Sequence, residues 1–183
     1  MKNKVHDLST YTFSDGESLL LDTNVWLFLF PAPSNRLSGF AANYTTAFKN
    51  MLSAKANLPL DALILSEYLN RYCRIEWKAL FAKKYREFKQ FRLSPDYASV
   101  GAGAATYARN ILKHCTKQDL PFSAIDVAQV LTDFECGACD FNDALFVETC
   151  RRNSWKFVTN DGDFVNGGIE VLTSNPKLLS ACP

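Results

Sequence analysis

Short apolar runs alternate along the chain with longer segments of helical periodicity. Three runs are short enough to be buried strands, and they cover residues 18–21, 156–159 and 169–172. Elsewhere apolar residues recur every three or four positions, which predicts helices over residues 23–30, 39–56, 61–92, 94–112, 123–134 and 141–150. This alternation predicts an α/β fold in which a central, mostly parallel β-sheet is flanked by helices.

The same pattern divides the chain into three parts. Residues 1–17 are polar and predict an irregular N-terminal arm, residues 18–173 form one domain, and residues 174–183 form a C-terminal tail. A length of 183 residues suits a single domain. The sequence contains no internal repeat, low-complexity tract or linker.

Composition excludes several classes of protein. Hydrophobic residues make up 48% of the chain, which is enough for a core and excludes intrinsic disorder. The most apolar run, residues 19–32, contains Asp22 and Asn24, so it predicts neither a membrane span nor a signal peptide. Six cysteines in a chain of this length do not suggest a disulfide framework. We therefore expect a reduced, cytoplasmic protein with no membrane partner.

Charge is balanced in total but not along the chain. There are 20 Lys and Arg against 19 Asp and Glu, a net charge of +1, which excludes a protein that holds nucleic acid by bulk charge. Residues 68–117 nevertheless hold eleven basic and three acidic residues, whereas residues 118–148 hold seven acidic residues and no Lys or Arg.

On the predicted helix over residues 61–92, six basic residues fall within an arc of roughly 120°. They are Arg71, Arg74, Lys78, Arg86, Lys89 and Arg92. This arc is either a solvated helix face or a track that contacts the phosphates of a nucleic acid.

Four acidic residues occupy positions that a parallel sheet can bring together. Asp22 follows a run of three leucines, and Asp161 follows the strand predicted at residues 156–159. Glu67 and Asp143 lie near the starts of predicted helices. Ligands of such sheets bind at the carboxyl ends of the strands. Clustered carboxylates repel each other unless cations neutralise them, and Mg²⁺ or Mn²⁺ suits an oxygen-only ligand set.

Each of these acids also has an ordinary structural explanation. Asp22 and Asp143 are suited to capping a helix, and Asp161 lies in an Asn-Asp-Gly sequence that is common in turns. Glu67 is an ordinary acid for a first helical turn, and it can pair with Arg71 four residues later. The hypothesis of a metal site therefore depends on the combination of the four positions.

In chain order, four motifs resemble the pattern of the PIN-domain nucleases. They are Asp22-Thr23-Asn24 after a strand, Ser66-Glu67 and Asn142-Asp143-Ala144-Leu145 at helix starts, and Thr159-Asn160-Asp161-Gly162-Asp163-Phe164 after a strand. The resemblance extends over residues 18–173, and the first and last motifs are its most specific parts. Compared with compact toxin-type members, this chain is longer by a helical extension around residues 75–115.

The resemblance implies an endoribonuclease that uses Mg²⁺ or Mn²⁺ to activate a water and to neutralise the scissile phosphate. The family's catalytic and metal-binding acids correspond to Asp22, Glu67, Asp143 and Asp161. Asp163 is a further candidate metal ligand, and Asp140 is an additional candidate for the same site. Thr23 and Thr159 are candidates for hydrogen bonds to a carboxylate or to a bound water.

We expect the RNA substrate to be contacted by Asn24 and by the basic residues that follow Glu67 on its helix, Arg71, Arg74 and Lys78. A toxin of a toxin–antitoxin pair would also need a protein antitoxin, and a homodimer is left open. The rival interpretation is a PIN-like scaffold that binds RNA or protein without cutting. Cys136 and Cys139 form a CxxC motif that is either incidental or redox-sensitive.

Overall fold

The fold is described by a computed structural model that covers residues 1–36, 39–119, 122–137 and 140–182. Its strands are β1 (Lys4–Asp7), β2 (Leu19–Leu21), β3 (Pro59–Leu60), β4 (Thr116–Lys117), β5 (Lys156–Val158) and β6 (Glu170–Thr173). Its α-helices are α1 (Thr23–Leu29), α2 (Ala41–Ser53), α3 (Ala62–Glu76), α4 (Phe88–Arg92), α5 (Tyr97–Leu112), α6 (Val127–Glu135), α7 (Phe141–Asn153) and α8 (Pro176–Ala181).

Four parallel strands in the order β1-β6-β5-β2 form the central sheet. Leu20 of β2 lies opposite Phe157 of β5, which lies opposite Val171 of β6. All three side chains are buried, as expected for a parallel sheet with helices on both faces. The predicted α/β fold is therefore confirmed. No helix among the described residues is long and apolar enough to cross a membrane.

A second, two-stranded parallel sheet lies beside β2. It consists of β3 and β4, which the sequence pattern did not predict because each has only two residues. A bridge between Ser18 and Asn57 joins it to the edge of the central sheet. Leu19 N donates to Asn57 O at 2.9 Å, so β3 runs parallel to β2 and ends on the same side of the fold.

The prediction of an irregular arm at residues 1–17 is wrong for β1. This strand pairs in parallel with β6, and His6 Nε2 lies 2.8 Å from Glu170 Oε2 across the pair. In the strand sequence Lys-Val-His-Asp only one residue is aliphatic, so hydrophobic periodicity gave no strand signal. The strand is held by its backbone pairing at the sheet edge.

The single helix predicted over residues 61–92 is also wrong. Helix α3 ends at Glu76 and is followed directly by a π-helical segment, Trp77–Phe81. The chain then turns before α4 begins. Aromatic packing explains the turn, because Phe81 stacks on Phe91 with ring centroids 4.7 Å apart. Trp77 Nε1 also donates to Tyr85 O at 3.0 Å. The six basic residues of the predicted arc consequently do not share one helix face.

Five of the six cysteines lie in the part of the chain that the structure describes. They are free thiols, namely Cys73, Cys115, Cys136, Cys150 and Cys182. None of these five cysteines forms a disulfide with another of the five. Cys139 lies outside the described residues, so the hypothesis of a redox-sensitive pair with Cys136 stays a prediction.

Replacing Phe91 tests whether the extension is part of the folded core. Phe91 is fully buried among aromatic side chains, so Phe91→Ala is expected to lower the free energy of unfolding by about 3–5 kcal/mol. The denaturation midpoint in urea measures this. Phe134, whose side chain is 50% exposed, is the matched control and should give a change of about 0.5 kcal/mol or less as Phe134→Ala. Equal midpoints for the two variants would contradict the packing described here.

Candidate active site

The carboxyl ends of the parallel strands meet at one edge of the sheet, and the predicted site begins there. Asp22 directly follows β2, and its backbone N–H extends the sheet by donating to Val158 O at 2.9 Å. Thr159 directly follows β5. The pairing of β2 with β5 therefore brings Asp22 and Thr159 side by side.

Asp22 is buried and held by two side chains. Its Oδ2 atom accepts hydrogen bonds from Thr159 Oγ1 at 2.6 Å and from Asn24 Nδ2 at 2.5 Å. Although Asp22 occupies the N-cap position of α1, its side chain makes no capping hydrogen bond, so capping does not explain it. Both side-chain donors use Oδ2, so among the described residues Oδ1 is free of side-chain donors.

Thr159 uses all of its hydrogen-bonding capacity in this network. Its hydroxyl donates to Asp22 and accepts from Asp161 N at 3.0 Å and from Asn24 Nδ2 at 3.1 Å. Asn24 Oδ1 accepts from Asn160 N at 3.0 Å, so both ends of the Asn24 amide are bound inside the protein. The structure thus shows Asn24 positioning Asp22, and its contact with a substrate stays a prediction.

Tyr44 supports this edge from helix α2. Its buried hydroxyl donates to Thr159 O at 2.8 Å and accepts from Ser174 N at 3.1 Å, joining the ends of β5 and β6. Tyr44 lies within the helix predicted over residues 39–56, and its helical spacing gave no indication of this role. The available signal was its hydroxyl, because a buried tyrosine needs a polar partner.

Glu67 lies on the second turn of α3, which begins directly after Asp61. Its Oε2 atom accepts from Thr23 Oγ1 at 3.2 Å, and its Oε1 atom accepts from Arg71 Nη1 at 3.2 Å. The pairing of Glu67 with Arg71 is therefore confirmed. Thr23 lies next to Asp22 in the chain, so this hydrogen bond connects α3 to the same edge of the sheet.

Asp143 lies in the first turn of α7 without capping it. The cap is Asp140, whose Oδ1 atom accepts from Asp143 N at 2.9 Å. Burial raises the pKa of Asp143 to about 7, with further contributions from the charges of Asp140, Asp22, Asp161 and Glu67. Asp143 is therefore within electrostatic reach of Asp22, Glu67 and Asp161.

Asp22 has the same kind of environment. Burial is the main cause that raises the pKa of Asp22 to about 6. The hydrogen bond from Thr159 lowers this pKa, whereas the charges of Glu67 and Asp161 raise it further. Asp22 is buried and Asp143 is half-buried, and the charges of Glu67 and Asp161 raise the pKa of both carboxyls. Asp22, Glu67, Asp143 and Asp161 are therefore near enough to interact electrostatically.

Asp163 is placed differently. The side chain of Asp161 forms a turn by accepting from Asp163 N at 3.0 Å, which agrees with the turn explanation for its sequence. Asp163 is exposed, and its Oδ1 atom accepts from Lys177 Nζ at 2.8 Å. It does not contribute to the raised pKa of Asp22 or Asp143, and its role as a metal ligand stays a prediction.

A cavity of about 520 Å³ opens beside the cluster, between α6, α7 and the segment after β5. Its polar lining includes Asp133 and Gln129 from α6, Asp143 and Arg151 from α7, and Asp163. Three of these five side chains are acidic. The cavity therefore favours a cationic group over a phosphate.

Residues 19–169 match the model of the PIN domain family. The chain belongs to this family. Proteins with PIN domains are generally nucleases. The match covers every residue of the acidic cluster, and the resemblance noted from the sequence motifs is confirmed.

Two solved structures have a similar fold. VapBC2 from Rickettsia felis, crystallised with a DNA fragment from its promoter, is 14% identical, with a TM-score of 0.51, over 85% of this chain and 98% of that chain. PAE2754 from Pyrobaculum aerophilum is 15% identical, with a TM-score of 0.47, over 92% of this chain and 98% of that chain. At this identity, the likeness to VapBC2 concerns the fold alone. No curated protein matches the chain.

PIN nucleases typically use divalent metals, and the donors of this PIN domain suit a hydrated ion. Among the residues described, no three His, Cys, Asp or Glu side chains are grouped closely enough to enclose a metal ion. Mg²⁺ keeps several waters, however, and is commonly bound through one or two carboxylates. Asp22, whose Oδ1 atom is free of side-chain donors, and Asp143 would be the carboxylates to hold such an ion. The donor set therefore fits a hydrated ion but not an all-protein cage.

The basic residues predicted to bind substrate lie along α3 and the π-helical segment. Arg71 is paired with Glu67, and the Arg74 guanidinium lies over the Phe88 ring at 4.6 Å from its centroid. Lys78 is exposed. Arg71 is thus the basic residue that the structure places in direct contact with the acidic cluster of the PIN domain.

The raised pKa values predict that the site destabilises the metal-free protein near neutral pH. Between about pH 4 and 7 the folded chain holds more protons on Asp22 and Asp143 than the unfolded chain, whose carboxyls titrate near 3.8. Their contribution to the free energy of unfolding therefore falls as the pH rises through this window.

Asp143→Asn is accordingly expected to raise the melting temperature of the metal-free protein at pH 7.5. The gain should be on the order of 1 kcal/mol, or roughly 2–4 °C, and should vanish near pH 4. Thermal unfolding in a chelating buffer measures it. Asp15→Asn, in an exposed turn, is the control and should change little. A lower melting temperature for Asp143→Asn at pH 7.5 would contradict the clustering of charge.

Proposed function

We propose that this PIN domain is an endoribonuclease that cleaves RNA with Mg²⁺ or Mn²⁺. The observation that carries the proposal is the convergence of four carboxylates on the carboxyl edge of a parallel sheet. Two of them, Asp22 and Asp143, have pKa values raised by burial and by the charges of the others. A protein gains from keeping such repelling charges together when a cation is bound between them.

The residues have distinct roles in this scheme. Asp22 and Asp143 would hold the ion, which when bound lowers the pKa of a water and neutralises charge on the scissile phosphate. Thr159 and Asn24 fix the Asp22 carboxylate through its Oδ2 atom, which leaves Oδ1 for the ligand. Glu67 and Asp161 would orient the waters around the ion and would not contact the ion directly.

Asp22→Asn and Asp143→Asn should each abolish cleavage of single-stranded and structured RNA in Mn²⁺. We expect the rate to fall by roughly 100-fold or more, the scale on which loss of one catalytic group acts. Asp163→Asn is the matched control, because Asp163 is exposed and paired with Lys177, and it should keep its activity. Circular dichroism confirms that each variant is folded.

Three outcomes would change this proposal. Full activity of both site variants would exclude the metal scheme. A comparable loss in Asp163→Asn would make Asp163 a ligand, as predicted from the sequence. If the wild-type protein binds RNA without cutting it in either metal, the non-catalytic scaffold is the correct interpretation. Parallel reactions on DNA of the same sequence decide between the two nucleic acids.

We propose that RNA reaches the site along α3. Arg71 contacts Glu67, and the exposed Arg74 and Lys78 continue the basic surface away from the cluster. Such residues contact the phosphate backbone without reading its sequence. Tyr85 donates its hydroxyl to Asp96 at 2.8 Å, so this aromatic residue is engaged within the helical extension.

Reversing the charge at Arg74 and Lys78 should weaken RNA binding. We expect the slope of log affinity against log salt to fall by about 0.7 for each phosphate contact removed. Fluorescence anisotropy with labelled single-stranded RNA measures this in the Asp22→Asn background, where no cleavage intervenes. Lys49→Glu, on the exposed side of α2, is the control for net charge. An unchanged affinity and slope at low salt would mean that the basic surface is only a solvated face.

A protein partner that masks the site is the second element of the proposal. The acidic cavity beside Asp143 is the observation that favours it, because a basic side chain of a partner would neutralise charge there. One structure with this fold, VapBC2, was solved bound to promoter DNA. A toxin–antitoxin role for this chain would require such a partner, and co-expression with a neighbouring small gene tests it by loss of nuclease activity.

A further inference from the structure

A second buried carboxylate lies outside the candidate active site. Asp61 follows β3 and caps α3, with its Oδ1 atom accepting from Ile64 N at 2.8 Å. Its Oδ2 atom is buried and has no hydrogen-bond partner among the described residues. The residue is only 4% exposed. A buried carboxylate oxygen without a partner is unfavourable and calls for a ligand.

Asp61 lines a pocket of about 120 Å³ between β3, the segment after β4 and helix α7. The remaining lining is rich in oxygen and includes Gln118, Asp119, Thr149 and Asn153. No Lys, Arg or His is among the described residues of this lining. A cation that would balance the charge of Asp61 is therefore not supplied by these side chains.

The two α7 residues present oxygen atoms as acceptors. Thr149 Oγ1 donates its proton to Leu145 O at 2.8 Å, which leaves the oxygen lone pairs for a ligand. Asn153 Nδ2 donates one of its two protons to Thr149 O at 2.9 Å, and the Asn153 carbonyl oxygen remains as an acceptor. The Thr149 proton and one of the two Asn153 amide protons are thus already used within the helix.

Capping alone does not account for Asp61. A cap requires one oxygen, and Asp126 fulfils that role on α6 from an exposed position, accepting from Gln129 N at 3.1 Å. Asp61 instead buries its second oxygen beside a polar pocket.

We propose that this pocket binds a hard divalent cation of the Ca²⁺ type, with Asp61 as its buried anionic ligand. Oxygens of Thr149 and Asn153, together with Gln118, Asp119 or water, complete the coordination. Ca²⁺ accepts carboxylate, amide and hydroxyl oxygens in flexible geometry, which matches this mixture. The ion would tie the start of α3 to α7, the helix that carries Asp143. The proposal does not depend on nuclease activity.

Terbium luminescence tests the pocket, because Tb³⁺ replaces Ca²⁺ and Trp155 lies in the lining as a sensitiser. The background is the double variant Asp22→Asn/Asp143→Asn, which removes the main carboxylates of the active site. We expect saturable Tb³⁺ emission on tryptophan excitation, competition by Ca²⁺, and a melting temperature that Ca²⁺ raises. Trp155→Phe should reduce the emission and leave the Ca²⁺-dependent melting shift in place.

Asp61→Asn is the decisive change, because asparagine keeps the capping oxygen and the shape but removes the charge. Added to the double variant, it should weaken Tb³⁺ binding at least tenfold and abolish the melting shift. Asp126→Asn, at the exposed cap, is the matched control and should alter neither. Thr149→Val, a second variant, should weaken binding while α7 remains folded.

Three results would overturn the proposal. One is the absence of saturable Tb³⁺ emission in the double variant. Another is an Asp61→Asn variant with unchanged Tb³⁺ affinity. The third is an Asp61→Asn variant that melts at a higher temperature by the same amount with and without Ca²⁺, which would make Asp61 a neutral structural carboxyl.

Discussion

The fixed position of the buried Asp22 carboxylate is the constraint on which the rest of the site depends. Its Oδ2 atom is held by Thr159 from the end of β5 and by Asn24 from α1. This is geometrically feasible only because β2 and β5 are adjacent, parallel and in a register that ends both strands together. Tyr44 then fixes the backbone of Thr159. The sheet order is thus part of the chemistry of the site.

The same arrangement makes the site electrostatically unfavourable without a ligand. Burial and mutual repulsion raise the pKa of Asp22 to about 6 and of Asp143 to about 7. The fold tolerates this because the strands that carry the site are fully buried, with Leu19–Leu21 and Phe157–Val158 packed between helices. Stability supplied by the core is therefore offset in part at the carboxyl edge, as is common where function requires clustered charge.

Sequence periodicity predicted the main elements of the fold, because buried strands and amphipathic helices leave regular patterns. It missed β1, whose single aliphatic residue gives no alternation, and it continued α3 through Trp77–Phe81 because helical spacing persists there. The turn that follows depends on contacts between rings distant in sequence, such as Phe81 with Phe91. Such tertiary contacts override local periodicity and cannot be obtained from spacing alone.

For the candidate site, the sequence motifs named four acids that interact electrostatically in the structure, but they did not separate the roles of these acids. Asp22 and Asp61 occupy equivalent local positions, each between a buried parallel strand and a helix. The first makes no capping bond because Thr159 and Asn24 hold its Oδ2 atom, whereas the second caps its helix through Oδ1. What distinguishes them is the neighbour of each strand. Since β2 has β5 beside it and β3 does not, only Asp22 meets the acids carried by the β5 turn and α7.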